Sequence, residues 1–79
     1  MLKEEIQLLL SDFGFCETLN KPLHGVNTTH MMHTCYESKR FVEYYVDPTG
    51  KIKSICAVRE NDFDIFENTG DFETWLNKQ

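Results

Sequence analysis

The hydrophobic residues at the start of the chain recur every three to four positions, which is the spacing of one helix face. Charged and polar residues fill most of the intervening positions, so residues 2–12 are predicted to form an amphipathic helix. Gly14 is the expected C-terminal stop, because glycine tolerates the left-handed backbone common there. The hydrophobic positions of this stretch are Leu2, Ile6, Leu9, Leu10 and Phe13.

The segment that follows has short hydrophobic runs separated by turn-forming residues. The letters FCETL, residues 15–19, predict a short strand, and NKP, residues 20–22, predict a turn. Residues 23–29 contain glycine and asparagine and are expected to be a loop. A second strand is predicted over residues 30–37, where β-branched and aromatic residues become more frequent.

The most regular pattern lies in residues 40–59, where two alternating arms flank the letters DPTG. Pro48 suits the second position of a type I turn and Gly50 the left-handed position after it, so a hairpin is predicted. In the first arm, alternation places Val42, Tyr44 and Val46 on one face and Phe41, Glu43 and Tyr45 on the other. In the second arm, it separates Ile52, Ser54, Cys56 and Val58 from Lys53, Ile55, Ala57 and Arg59. Both faces are partly apolar, so one is expected to carry a helix and the other to be partly covered or a contact surface.

The end of the chain predicts one more strand and one more helix. The letters DFDIF, residues 62–66, form the strand, and Asp71 is the expected helix cap. Phe72, Trp75 and Leu76 follow at the spacing of one helical stripe. Residues 1–79 are therefore predicted to form a single α+β domain of two layers. It would have an N-terminal helix, an antiparallel sheet of three to five strands in a β-meander, and a short C-terminal helix.

The charge of the chain is concentrated at its C-terminal end. Residues 1–59 carry seven acidic and seven basic side chains, whereas residues 60–79 carry six acidic side chains and one lysine. Direct binding to nucleic acid requires clustered lysine and arginine, which no part of the sequence supplies. The expected partner is therefore a protein with a basic surface.

The cysteine and hydrophobic patterns indicate a cytoplasmic protein. The three cysteines are far apart in the sequence, and no secretory leader precedes them, so free thiols in a reducing compartment are expected. The longest leucine run is much shorter than the ~20 apolar residues of a membrane span. No glycine-rich phosphate loop, nucleophile elbow or metalloprotease helix occurs, so we predict no catalytic residue, no enzyme activity and no cofactor.

The letters TTHMMHTCYE, residues 28–37, leave a metal site as an alternative interpretation. On a helix, His30 and His33 would converge and could form a binding site with Cys35. On a strand, His33 and Cys35 point one way and His30 the other, which separates the two imidazoles. We expect the strand, in which these residues pack and bind no metal.

The letters ENDFDIFENTGDFE, residues 60–73, contain the pattern most suggestive of function. Glu60, Asp62 and Asp64 are spaced two apart, with Phe63 and Ile65 at intervening positions, which on a strand makes a row of carboxylates on one face and an apolar anchor on the other. Such a row is also typical of a solvated edge strand that avoids pairing with other sheets.

We predict a small acidic, non-enzymatic protein-binding module. Tyrosine and phenylalanine are frequent at protein interfaces, and carboxylates steer association with a basic partner. The residues expected to form the contact surface are Glu60, Asp62, Asp64, Glu67, Asp71 and Glu73 with the aromatic residues Tyr36, Tyr44, Tyr45, Phe63 and Phe66. A homo-oligomeric structural or regulatory protein, such as a homodimer, is the alternative.

In size, acidity and lack of catalytic motifs, the chain resembles small inhibitors encoded by phages and plasmids, including anti-CRISPR and anti-restriction proteins. The resemblance is one of composition and involves no shared motif. It implies a stoichiometric inhibitor that blocks a basic, nucleic-acid-handling protein by occupancy.

Overall fold

The computed structural model describes residues 1–78, and this range forms helices on one side of an antiparallel sheet. The elements in chain order are α1 (Lys3–Asp12), β1 (Cys16–Leu23), β2 (Thr28–Cys35), β3 (Arg40–Val46), β4 (Ile52–Arg59), β5 (Asp62–Phe66) and α2 (Thr69–Asn77). The strands neighbour one another in sequence order, β1-β2-β3-β4-β5, and every neighbouring pair is antiparallel. The predicted α+β meander with a helix at each end is confirmed. Within residues 1–78, neither helix is long and apolar enough to cross a membrane.

The core lies between the two helices and one face of the sheet. The helices contribute the buried residues Ile6, Leu10, Phe72, Trp75 and Leu76, which pack in one cluster with alternate strand residues. The strand residues of this cluster are Met31, Cys35, Val42, Tyr44, Val46, Ile52, Ile55 and Ala57, and Phe15 lies just before β1. We call this helix-bearing side of the sheet the covered face. Phe72, Trp75 and Leu76 form the predicted stripe of the C-terminal helix.

The hairpin between β3 and β4 forms where the sequence predicts it, but its second arm contains a β-bulge. Gly50 has φ of 83°, and its N–H donates to the carbonyl of Asp47 at 3.0 Å, as expected for this turn. Tyr44 pairs with Ile55, whereas Val46 pairs with Ile52, so β4 has one extra residue in this interval. The bulge places Ile52 on the covered face with Ile55. The prediction that these two residues lie on opposite faces was therefore wrong.

The first strand extends further than predicted, through the residues assigned to a turn. Lys21 and Pro22 belong to β1 and pair with His30 and Thr29 of β2. Proline is compatible with this position because β1 is an edge strand, where alternate backbone N–H groups need no partner in the sheet. The predicted loop at 23–29 is consequently shorter, and β2 covers 28–35 instead of 30–37.

The C-terminal helix is capped by Asn68 and not by Asp71 as predicted. The Asn68 side chain accepts a hydrogen bond from the backbone N–H of Asp71 at 2.9 Å. In return, the Asn68 amide donates to the Asp71 carboxylate at 2.8 Å. Asp71 is thus the third residue of the helix and acts as the reciprocal partner of the cap.

The other end of α2 is held by a buried arginine. Nη1 of Arg40 lies 3.1, 3.3 and 3.1 Å from the carbonyl oxygens of Trp75, Leu76 and Lys78, to which it donates. Its guanidinium also lies 4.7 Å from the centre of the Trp75 ring. A cation at this position satisfies carbonyls that a helix C-terminus leaves without partners. Arg40 therefore attaches α2 to β3.

Candidate functional site

The second face of the sheet is not covered by any element of residues 1–78, and we call it the open face. Alternation and strand register place side chains from four neighbouring strands on it. From β2 to β5 these include His30, Met32, Thr34, Phe41, Glu43, Tyr45, Cys56, Val58, Phe63 and Ile65, and β1 adds Leu19 opposite Met32. Because most of them are apolar, this face has the composition of a surface that other proteins bind.

The most exposed part of the open face lies on β5 and at the end of β3. Phe63 is 67% exposed, Ile65 55% and Tyr45 49%. Phe41 and Val58 are half-buried and border a shallow depression of about 470 Å³ that extends to Glu60 and Asp62. The apolar surface is thus continuous with the start of the acidic C-terminal segment.

The carboxylates of β5 lie on the helix side of the sheet, and its residues Phe63 and Ile65 lie on the open face. An apolar anchor would require Phe63 and Ile65 on the helix side. Asp62 and Asp64 pair with Arg59 and Ala57 and share their side of the sheet, where both aspartates are exposed. The residues predicted to be an apolar anchor project from the open face instead. That prediction was wrong: of the side chains that β5 places on the helix side of the sheet, Asp62 and Asp64 are exposed, and Phe66 packs against α2.

The other predicted acidic residues surround β5 and differ in what they do. Glu60 lies in the turn before β5 with φ of 53°, and Glu67 lies directly after the strand. Both are exposed, as is Glu73 on α2. Asp71 is engaged with Asn68 at the helix cap, so its carboxylate already has a structural partner. Glu60, Asp62, Asp64 and Glu67 are therefore the carboxylates that lie along one edge of the sheet.

The predicted aromatic contact residues divide between surface and core. Tyr36 is 73% exposed in the loop after β2, on the other side of β3 from β5. Tyr44 is 1% exposed, so its inclusion among surface residues was wrong. The strand period places Tyr44 on the covered face, and Tyr45 on the open one. Phe66 is partly buried and packs against Phe72 and Trp75 at centroid distances of 5.9 and 6.3 Å.

The buried Tyr44 forms a polar pair with His33 inside the core. Nε2 of His33 lies 2.8 Å from the Tyr44 hydroxyl, and the two rings are stacked at 5.6 Å. Burial lowers the pKa of His33 from its ordinary value of 6.5, and Glu17 acts weakly in the opposite direction. Burial likewise raises the pKa of Tyr44 far above its usual range. Both groups are therefore held in their neutral forms.

His30 occupies a different environment on the open face. Its Nε2 lies 2.7 Å from a carboxylate oxygen of Glu43, and its ring stacks on Tyr45 at 4.6 Å. The predicted divergence of His30 and His33 on a strand is confirmed. His30 and Glu43 form a polar patch within the otherwise apolar surface.

The cysteine and histidine residues do not assemble a reactive or metal-binding site in the described chain. His33 and Cys35 lie on the covered face, and His30 lies on the open one. Cys35 is buried with its Sγ 3.9 Å from the carbonyl oxygen of Phe13, and hydrogen bonds from Ser38 are the main reason that its pKa is lowered. Among residues 1–78, no three His, Cys, Asp or Glu side chains are grouped closely enough to hold a metal ion.

Several open-face residues were not among the predicted contacts, although the sequence contained a signal for them. Met32, Val58 and Ile65 contribute apolar surface between the predicted aromatic positions. The hairpin arms are apolar on both faces, and this double pattern predicts a second face that is partly covered or is a contact surface. Alternation alone did not say which face the helices would cover.

The surface has to be interpreted from its own chemistry. No protein-family model, curated protein or solved structure matches this chain.

Proposed function

We propose that this protein is a non-enzymatic binding module that attaches to the basic surface of another protein. The observation that carries the proposal is the meeting of two features at β5, an uncovered apolar sheet face and a line of carboxylates. Phe63 and Ile65 provide the apolar contacts, and Asp62 and Asp64 provide the adjacent negative charge.

The two features have different roles in association. Carboxylates at the rim of an interface attract a basic partner before contact and mainly raise the association rate. The aromatic and aliphatic side chains supply most of the affinity once water is excluded from them. Their adjacency on one strand allows a single partner to contact both.

A nucleic-acid-handling protein has a suitable basic surface, because it must neutralise phosphates. A protein with regularly spaced carboxylates competes for such a surface by occupying it, and no turnover is required. This mode of action is the one implied by the resemblance in composition to phage- and plasmid-encoded inhibitors.

The test removes charge from β5 and measures association with a partner purified after capture from the native host. Replacing Asp62 and Asp64 together by Asn is expected to slow association and to flatten its dependence on salt. Salt screens charges beyond about 8 Å at physiological ionic strength, so salt weakens the long-range attraction that raises the association rate. Folding should change little, because exposed charges at a sheet edge contribute little stability.

The matched control replaces Glu17 and Glu37 by Gln. It removes the same charge from β1 and from the loop after β2, and both residues are exposed. The control is expected to bind with nearly the rate and salt dependence of the wild type. Equal behaviour of the two double variants would contradict the assignment of the acidic surface to β5.

Self-association through the open face is the alternative that the exposed apolar surface also favours. Sedimentation of the pure protein over a wide concentration range distinguishes the two. The binding module is expected to remain a monomer. A dimer dispersed by Phe63→Glu would assign the open face to a second copy of the chain.

A further inference from the structure

The two edges of the sheet are built differently. The β1 edge contains Pro22, which has no N–H, and Lys21 beside it. Its pairing with β2 also shifts register between Glu17 and Leu19. Proline, lysine and a bulge are the devices by which natural sheets prevent an edge from pairing with another strand.

The β5 edge has none of these three devices, although its two carboxylates and its length of five residues also deter pairing with strands that lack complementary charge. Its five residues pair with β4 without a register shift, and it contains neither proline nor lysine. In an antiparallel edge strand, every second residue directs its backbone N–H and C=O away from the sheet. Within residues 1–78, no strand pairs with this outer side of β5. The strand is therefore suited to receive one.

We infer that β5 binds an extended segment of the partner, in which basic and apolar side chains alternate, as a sixth strand of the sheet. The inference rests on the proposed binding function and specifies its chemistry. Residues that lie opposite one another on paired strands share a face. Basic side chains of the added strand would thus face Asp62 and Asp64, and apolar ones would extend the surface of Phe63 and Ile65.

A second copy of this chain is a poor occupant for the same edge. If two β5 strands paired antiparallel around a two-fold axis with all five residues overlapping, Asp64 would face its own counterpart. Like charges placed directly opposite destabilise a strand pair. The carboxylates therefore disfavour self-pairing while they favour a basic strand.

The test attaches the proposed strand to the protein itself, so that weak affinity cannot hide binding. The backbone carbonyl of Lys78 accepts a hydrogen bond from Arg59, which pairs with the first residue of β5, so Lys78 lies near this edge. A heptapeptide alternating lysine and valine is fused after Gln79 through about twelve glycine and serine residues. Such a tether gives an effective concentration in the millimolar range.

The expected result concerns the β5 amides that do not bond to β4. Their hydrogen exchange should slow at least about tenfold with the alternating tail, as expected for mostly occupied binding. A tail of the same composition with lysines and valines in separate blocks is the control. Absence of protection with the alternating tail, equal protection by the block tail, or protection at β1 instead would each overturn the inference.

Reversing the charge at Asp62 and Asp64 tests whether charge complementarity selects the added strand. Asp62→Lys with Asp64→Lys should remove the protection given by the lysine tail and produce it with a tail alternating glutamate and valine. Glu17→Lys with Glu37→Lys changes the net charge equally and should preserve the original preference. If the β5 reversal does not fold, Asp62→Asn with Asp64→Asn should still reduce protection about threefold. Protection unaffected by any change at β5 would contradict a charge-matched strand.

This experiment and the test of the proposed function can fail separately. A captured partner that depends on Asp62 and Asp64 but does not protect the β5 backbone would preserve the binding module and overturn strand addition. A lysine tail that pairs with β5, without any partner sensitive to β5 charge, would preserve strand addition and overturn the proposed function.

Discussion

The covered and open faces of the sheet contain similar residues and do different things. Val42 and Ile55 on the covered face are fully buried, whereas Phe63 and Ile65 on the open face are more than half exposed. Hydrophobicity therefore does not distinguish the faces, but their position relative to the helices does. Burial of an apolar side chain contributes roughly 1.5–3 kcal/mol to stability, so the covered face stabilises the fold. On the open face, Phe63 and Ile65 contribute little of this stabilisation, because they remain largely exposed.

The two faces also treat polar groups differently. Arg40 and His33 are buried on the covered face, and each has hydrogen-bond partners inside the protein. Buried polar groups without partners would be costly, so these contacts are needed for folding. On the open face, His30 and Glu43 pair at a half-buried site and remain accessible. The polar pair on the open face is thus accessible to solvent, whereas the polar groups of the covered face are not.

The largest expected effect tests whether burial separates the faces. Trp75→Ala removes an aromatic side chain that packs with Phe15, Phe66 and Phe72, and should lower the free energy of unfolding by about 3–5 kcal/mol. Phe63→Ala on the open face should change it by no more than about 0.5 kcal/mol. Urea unfolding of both variants makes the measurement. Similar losses would mean that the open face is also part of the core.

The second-largest loss of stability is expected when the hydrogen bonds from Arg40 to the C-terminal end of α2 are removed. Arg40→Met keeps much of the side-chain length but removes the donors to the carbonyls of Trp75, Leu76 and Lys78. The loss should be about 1.5–3 kcal/mol, the range for hydrogen bonds from charged groups. Arg59→Met is the control, since Arg59 is more exposed than Arg40 and donates only to the Lys78 carbonyl, and its guanidinium lies 5.9 Å from the centre of the Trp75 ring, so a loss of about 1 kcal/mol or less is expected. A larger loss of stability for Arg59→Met than for Arg40→Met would show that Arg59, and not Arg40, attaches α2 to the sheet.

A smaller effect is expected at the turn that aligns β3 with β4. Gly50→Val should destabilise the protein by about 1 kcal/mol or more, because a β-branched residue resists positive φ. No heavy atom lies within 4 Å of the position of an added Cβ, so crowding does not contribute. Gly70→Ala is the control, in a helix with ordinary φ, and should be neutral or slightly stabilising. Thermal unfolding that ranks these variants in reverse would contradict the turn assignment.

The smallest effect is the pH dependence contributed by His33. Because burial lowers the pKa of His33 below 6.5, the unfolded chain binds a proton at this site more readily than the folded one. Stability from this group is complete above pH 6.5 and is lost as the pH falls towards the lowered pKa. The wild type should therefore lose more stability between pH 7 and 5 than His33→Gln, as measured by urea unfolding at each pH. Identical slopes would show that His33 is not held neutral by the core.

Local patterns predicted most elements, and long-range packing explains the errors. The α1 pattern, the turn at Gly50 and the strand at 62–66 follow from short-range periodicity and turn chemistry, which depend on neighbouring residues only. The bulge after Ile52 does not, because a period of two contains no information about an extra residue in one arm. The cap at Asn68 was available in the sequence as Asn followed three residues later by Asp, a reciprocal capping pattern.

The candidate surface was partly predictable for the same reason. Charge counting identified the acidic segment, and alternation separated Asp62 from Phe63 on opposite sides of a strand. It could not show that Tyr44 lies in the core and Tyr45 on the surface, because both faces of the hairpin are apolar. Which of the two tyrosines is buried depends on the face of the sheet against which the two helices pack.

The sequence by itself determined the types of elements and their antiparallel order, the position of the β3–β4 turn and the concentration of charge near the C-terminus. These properties arise from residues close together in the chain. Tertiary structure alone decided which face of the sheet is covered and that Arg40 lies inside. It also decided that β1 and β5 are the two edges of the sheet. Those properties arise because distant segments compete to bury the same surface, and only the packed chain resolves that competition.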